Sequence, residues 1–253
     1  MLALTHVPSP NLERCLRTFV APAPLDYSRA VGQHEAYCRM LRKCGAGVRK
    51  LAVNSDLPDC VFIEDTAIVL DELAVLASMA APSRYAEPAG IEPELRKYRE
   101  VEHVELPATI EGGDVLRVGR KLLVGLSSRT NREGLKALEV TVRRFGYEVR
   151  PVPVRQCLHL KSACTALPDE RLLVNPDWLD VAILKDFELV RVPDTESDAA
   201  NVALVGASVC LPAAHPRTAE LISQLGFKVQ TVDVSEFAKA EGCVTCLSIL
   251  LND

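Results

Sequence analysis

A chain of 253 residues, 48% hydrophobic and 25% charged, can build a substantial core and is too apolar to stay disordered, which excludes a staple-dependent miniprotein and an unfolded linker. Twenty-nine basic residues against 34 acidic ones leave a formal charge of -5, and no run of Lys and Arg tracks a phosphate backbone, so no nucleic-acid partner is expected. With no basic leader before an apolar segment in MLALTHVPSPNLERC and no apolar run of about 18 residues, no membrane association is expected, and the nine cysteines read as reduced thiols of a cytoplasmic protein, mostly small buried hydrophobes.

In chain order, LALTHV (2–7) reads as a strand and LDYSRAVGQHEAYCRMLRKCG (25–45) as the first helix, with Ala30, Ala36, Tyr37, Met40 and Leu41 inward and a terminal Gly. VRKLAV (48–53) is the strand that follows it. VFIED and AIVLDELAVLA pair as β-branched runs before a second helix near IEPELRKYRE (91–100) and a strand, VEHVEL. GGDVLRVG with KLLVGLS precedes a third helix, NREGLKALEVTVRRFG (131–146), and YEVRPVPV; HLKSACTAL with RLLVNP precedes a fourth, PDWLDVAILKDF (176–187), and ELVRVP. NVALVG with SVCLPA precedes a fifth, HPRTAELISQLG (215–226), and FKVQTVDV, after which VTCLSILL (244–251) pairs with the N-terminal strand and closes a ring. The period near fifty residues predicts an α/β fold, five ββαβ units around one axis, as one domain over 1–253. The competing reading is a mixed α/β sandwich with coincidental spacing.

Several residues along this frame can carry chemistry. Asp59-Cys60-Val61-Phe62-Ile63-Glu64-Asp65 ends in adjacent carboxylates that a strand would aim at opposite faces, so both serve one pocket only if the chain bends after Ile63. In Glu111-Gly112-Gly113-Asp114 the glycines permit close backbone approach beside a carboxylate. His159 begins a predicted strand, as a core imidazole or a placed acid/base, and no histidine pair has zinc-site spacing. Cys243-Val244-Thr245-Cys246 is a C-x-x-C without a second ligand pair and without a following helix, which disfavours both zinc and a redox dithiol and leaves Cys246 at the head of the last strand. A cysteine with a histidine is a pair for covalent catalysis. The acids around them call for a cationic substrate, whose charge offsets the like-charge repulsion that would otherwise hold the thiol protonated.

LPDCVFIEDTAIV, EGGDVL, VGLSSRTNREG, LHLKS and VDVSEFAKAEGCVTCLSIL, present together and in order over nearly the whole chain, resemble the dimethylarginine dimethylaminohydrolase family of the guanidine-modifying, or amidinotransferase, superfamily. The resemblance implies the five-bladed ββαβ α/β-propeller called the pentein fold, with Cys246 as nucleophile, His159 as general acid/base and Glu111 as the carboxylate that supports it. It further implies that Glu64 and Asp65 hold the guanidinium, that Asp59 contacts the substrate amino group, and that Arg84 and Arg129 hold the amino-acid carboxylate. Ala240 would lend a backbone carbonyl and Leu16 another backbone contact. The implied reaction is hydrolysis of Nω-methylated arginine, a small-molecule substrate, to citrulline and methylamine or dimethylamine, with no cofactor and no metal. Zinc, well matched to thiolate and imidazole, would act there only as an inhibitor. Leu247 stands where many members carry a second cysteine. Arginine deiminase, the nearest rival, typically has an inserted helical domain and an HxD motif, whereas this chain has Lys161 in place of that Asp; a non-catalytic pentein-fold binder would not need all three catalytic residue types. The segment from Pro10 to Leu25 is a candidate lid, and a homodimer is compatible with the sequence without being fixed by it.

Overall fold

The computed structural model describes residues 1–252. The first strand, β1 (Leu2–His6), leads through an irregular segment to α1 (Tyr27–Lys43) and β2 (Gly47–Leu51). Then come β3 (Ala67–Val69), β4 (Leu73–Leu76), α2 (Glu87–Leu95) and β5 (Glu100–His103), followed by β6 (Val115–Val118), β7 (Lys121–Leu126), α3 (Arg132–Val142) and β8 (Glu148–Pro153). A one-turn helix, α4 (Leu160–Ala163), precedes β9 (Cys164–Ala166), β10 (Arg171–Val174) and β11 (Glu188–Arg191). The remainder is β12 (Ala203–Val205), β13 (Ser208–Pro212), α5 (Pro216–Gln224), β14 (Lys228–Val232), α6 (Ser235–Ala238) and β15 (Ile249–Leu251).

These strands make five three-stranded sheets, each with an antiparallel pair and a parallel third strand reached through a crossover. The ring closes as expected: β1 pairs antiparallel with β15, Leu2 opposite Leu251, and parallel with β2. The middle strands β4 and β13 are buried along their whole length, which suits their continuous apolar runs, whereas the outer strands β2 and β8 are largely exposed. Local signals set the helix ends. The Asp26 carboxylate accepts the Arg29 amide at 3.0 Å and opens α1, and the Asn131 side chain does the same for Gly134 at 2.7 Å to open α3. Around the axis β15 lies against β3, β6 against β9 and β9 against β12, so the segments entering these inner strands meet at one end of the ring.

Four expectations need correction. The fourth helix is only a 3₁₀ turn, Val181–Leu184, because the start of that segment is drawn into extended pairing: Val154 bridges Leu179, and the Arg155 amide donates to the Trp178 carbonyl at 2.8 Å. The second helix lies upstream of 91–100, with Pro88 in its first turn. His159 does not begin a strand but caps α4 at its N-terminal end, and Cys246 lies in a turn three residues before β15 rather than at its head.

Candidate active site

Asp65, Asp114, His159, Asn201 and Cys246 all lie just ahead of an inner strand, and hydrogen bonds link their segments around the axis. The Gly113 amide donates to Asp65 Oδ1 at 3.2 Å, the Leu160 amide to Asp114 Oδ1 at 2.9 Å, and Asn201 Nδ2 to the Lys161 carbonyl at 3.0 Å. The Thr245 amide donates to Asn201 Oδ1 at 3.1 Å, and the Glu64 amide returns to the Cys246 carbonyl at 3.2 Å. Each blade thereby fixes the next. Gly113 is required for this approach, since a Cβ there would lie 2.6 Å from His159 Nδ1 and 2.7 Å from Asp65 Oδ1.

Cys246, His159, Asp65, Asp59, Arg84, Arg129, Leu16 and Ala240 line one small cavity. Of the ten residues singled out from the sequence, only Glu111 and Glu64 do not line it. Glu111, fully buried behind the imidazole, meets His159 Nε2 at 2.9 Å and accepts the Ala80 amide at 3.2 Å. Glu64 departs in a different direction. Residues Ile63–Thr66 form a 3₁₀ turn, and the Glu64 carboxylate pairs with Lys161 Nζ at 2.6 Å and with Thr245 Oγ1 at 2.7 Å. It lines a separate cavity with Lys161, Thr245 and Ser248. The bend after Ile63 exists, yet the adjacent carboxylates still part.

The two arginines differ in how far they are committed. Arg84 donates from Nε and Nη2 to Glu87, from Nη2 to the Phe62 carbonyl at 3.2 Å and from Nη1 to Asp65 at 2.8 Å, so one Nη1 hydrogen remains for a ligand. Arg129 is buried beside Glu111, 3.6 Å from Nη1 to Oε1, and that Nη1 has no hydrogen-bond partner. Asp59 accepts the Leu16 amide at 3.1 Å, which ties the segment after β1 to the cavity wall. Residues 15–26 have no helix or strand.

Electrostatics set the resting protonation. Burial alone would lower the pKa of His159, but Asp65, Asp114 and Glu111 outweigh it and raise the value from 6.5 to about 9. Burial likewise opposes ionisation of Asp65, and His159 and Arg84 overcome it, holding the carboxyl below its ordinary range. The Cys246 thiol is pushed well above its usual value, first by burial and then by Glu64 and Asp65. The resting site is therefore an imidazolium among carboxylates beside a neutral thiol, and a cation bound at Asp65 would favour the thiolate. Asp65, Glu111 and His159 also bring potential ligand atoms within 4.8 Å of one another, a donor set fit for a positive charge, to which Arg84 and Arg129 already contribute. Because the folded-state pKa of His159 exceeds the unfolded 6.5, its protonated form stabilises the fold fully below pH 6.5, and that contribution fades as pH rises through about 9. The melting-temperature gap between the protein and His159→Asn should shrink over that window; a widening gap would contradict this electrostatic assignment.

The sequence reading did not single out Asp114, Lys161, Thr245 or Asn201 as site residues. Asp114 is fully buried and takes both the Leu160 amide and Ser127 Oγ, at 2.9 and 2.6 Å, which holds the turn that carries His159. The available signal was positional, a polar residue or cysteine one to five positions ahead of the first strand of every blade.

The family model for eukaryotic N,N dimethylarginine dimethylhydrolase matches residues 23–182. The chain is 40% identical over 253 residues to a dimethylarginine dimethylaminohydrolase of Streptomyces coelicolor, covering 99% of this chain and 97% of the relative. A solved structure of the Pseudomonas aeruginosa enzyme, a cysteine-to-serine mutant complexed with citrulline, superposes with a TM-score of 0.91 at 32% identity, covering 98% of this chain and 97% of the other. A second, a dimethylarginine dimethylaminohydrolase with histidine replaced by glycine as an adduct with S-methyl-L-thiocitrulline, gives 0.93 at 32% identity over 98% of each chain. Five blades around one axis, a half-buried cysteine beside a buried histidine and glutamate at one end of it, and identity along almost the entire length lead to one conclusion: this chain belongs to the dimethylarginine dimethylaminohydrolase family.

Proposed function

We propose that the protein hydrolyses Nω-methylated arginine, asymmetric dimethylarginine or monomethylarginine, to citrulline and dimethylamine or methylamine. The observation that carries this reading is the cavity where Cys246 and His159 stand beside the buried Asp65 carboxylate, with Glu111 on the imidazole. Asp65 takes the guanidinium, and its neutralised charge lets the Cys246 thiolate form. Glu64 acts on the same charge balance from the Lys161 side. Asp59 and the backbone of Leu16 and Ala240 hold the substrate ammonium, while Arg129 and the remaining Arg84 hydrogen hold its carboxylate.

As the substrate binds, the Cys246 thiol releases its proton to solvent; Sγ then adds to the guanidinium carbon, the bond from that carbon to the methylated nitrogen breaks, and His159 delivers its proton to the departing amine. The covalent thiouronium that remains is attacked by water, whose proton passes to His159. The carbon–sulfur bond then breaks, citrulline leaves, and the thiol is regenerated. Glu111 keeps the imidazole oriented through both proton transfers. The reading treats residues 1–253 as one catalytic domain, supported by pairing of β1 with β15, and the nine free cysteines support a reducing, cytoplasmic setting.

The test is citrulline release from asymmetric dimethylarginine, monomethylarginine and arginine. The methylated substrates should have the higher kcat/KM. Highest efficiency with plain arginine would make the protein a deiminase, and no turnover of any of the three would make it a binding protein.

A further inference from the structure

Glu241 stands between the catalytic cavity and the irregular segment after β1, which it grips in an unusual way. Its Oε1 accepts three successive backbone amides, from Thr18 at 2.7 Å, from Phe19, and from Val20 at 2.7 Å. Consecutive amides turned toward one point form a concave anion site, and here the anion is a side chain from the far end of the chain. The hydrogen bonds are charge-assisted, and the other carboxylate oxygen is buried without a partner.

The backbone at Glu241 is specialised for this task. Its φ is +62°, a left-handed conformation that residues bearing a Cβ seldom adopt and that glycine normally supplies just beyond a helix end. The glycine comes one residue later. Gly242 is pressed against Phe62, where a Cβ would lie 2.1 Å from the ring, and its amide donates to the Phe237 carbonyl at 2.9 Å. Glu241 is thus held on a firm base between Ala240 and Gly242, both of which line the catalytic cavity. Two further ties run from α6 and its end to the same segment: Lys239 Nζ to the Pro24 carbonyl at 3.1 Å, and the Asp26 amide to Glu236 Oε2 at 2.9 Å.

We propose that Glu241 is the latch of a lid formed by residues 16–25, a positioning residue that holds Leu16 over the amino-acid end of the substrate. The inference rests on the substrate reading above for what the lid covers, and on the three amides alone for the latch itself. A latch of this kind contributes binding that ground and transition states share, so its loss raises KM more than it lowers kcat.

Glu241→Gly removes the carboxylate while relieving the left-handed backbone, so the variant is not penalised in folding; Glu241→Gln keeps a neutral acceptor. Hydrogen exchange should speed up at the amides of Thr18, Phe19 and Val20 in Glu241→Gly, by less in Glu241→Gln, with an unchanged melting temperature. With methylated arginine, KM should rise about tenfold in Glu241→Gly and kcat should fall less than about threefold. Unchanged exchange at the three amides, or a loss confined to kcat, overturns the latch. If the unsubstituted protein turns over no methylated arginine, the substrate reading fails, and the exchange measurement still decides the latch because it needs no substrate.

Discussion

Replacing Cys246 with serine should abolish citrulline formation, a loss of about 10³-fold or more, while Cys243→Ser should retain most of it. The two cysteines share a turn but face different surroundings. Cys246 lines the catalytic cavity, whereas Cys243 lines the larger neighbouring one and contributes its backbone amide, 3.4 Å from Cys246 Sγ. A serine at 246 keeps the shape but has a hydroxyl whose proton the site cannot remove, because an alcohol is a far weaker acid than a thiol and the burial and nearby acids that already hold the thiol protonated act on it too. Serine at 243 leaves the amide in place. Equal loss from both substitutions would refute the division of roles, and a freshly reduced sample separates it from any effect of oxidation.

His159→Gly should lower turnover of dimethylarginine by about 10²- to 10⁴-fold, and it should expose the two steps separately. With S-methylthiocitrulline the leaving group is a thiol, which departs without help from a strong acid, so attack by Cys246 can proceed. The second step still needs a base for water. The variant should therefore accumulate a covalent adduct on Cys246, seen as a stable mass increase on the intact protein that is absent from Cys246→Ser. Rapid release of product from His159→Gly would show that another group activates the water and would remove His159 from that role. Deleting the imidazole also takes from the buried Glu111 carboxylate its His159 hydrogen bond, leaving it the Ala80 amide as hydrogen-bond donor, with Arg129 3.6 Å away.

The five-fold plan was legible because each blade repeats the same chemistry, a β-branched pair, an amphipathic helix and a third strand. It failed at 176–187, where the apolar spacing suits a helix but Trp178 and Leu179 are captured by the neighbouring blade's Arg155 and Val154. Tertiary pairing overrode local propensity there, and no local signal announces it. Within the site, Cys246, His159 and Glu111 were readable from their motifs, and the two glycines after Glu111 each have a reason, since a Cβ at Gly112 would lie 2.0 Å from the Glu64 carbonyl oxygen and one at Gly113 would strike His159 and Asp65. The orientation of Glu64 was not readable, because the 3₁₀ turn at Ile63–Thr66 sends its side chain away from Asp65 toward Lys161, which comes from a different blade. Contacts of that kind exist only once the ring is assembled.

The pairing of Leu2 with Leu251 has a bearing on when the site comes into being. Four blades can form from neighbouring stretches of chain, but the one that positions Cys246 and launches the lid must join strands from opposite ends. Loop closure costs about 0.6 kcal/mol per doubling of length, so this junction is about 3 kcal/mol harder to make than a hairpin. The thiol meets Asp65 and His159 only when that seam is sewn. Chemistry in this protein is thus a property of the finished circle, and a chain caught open at the seam has its blades without its reactivity.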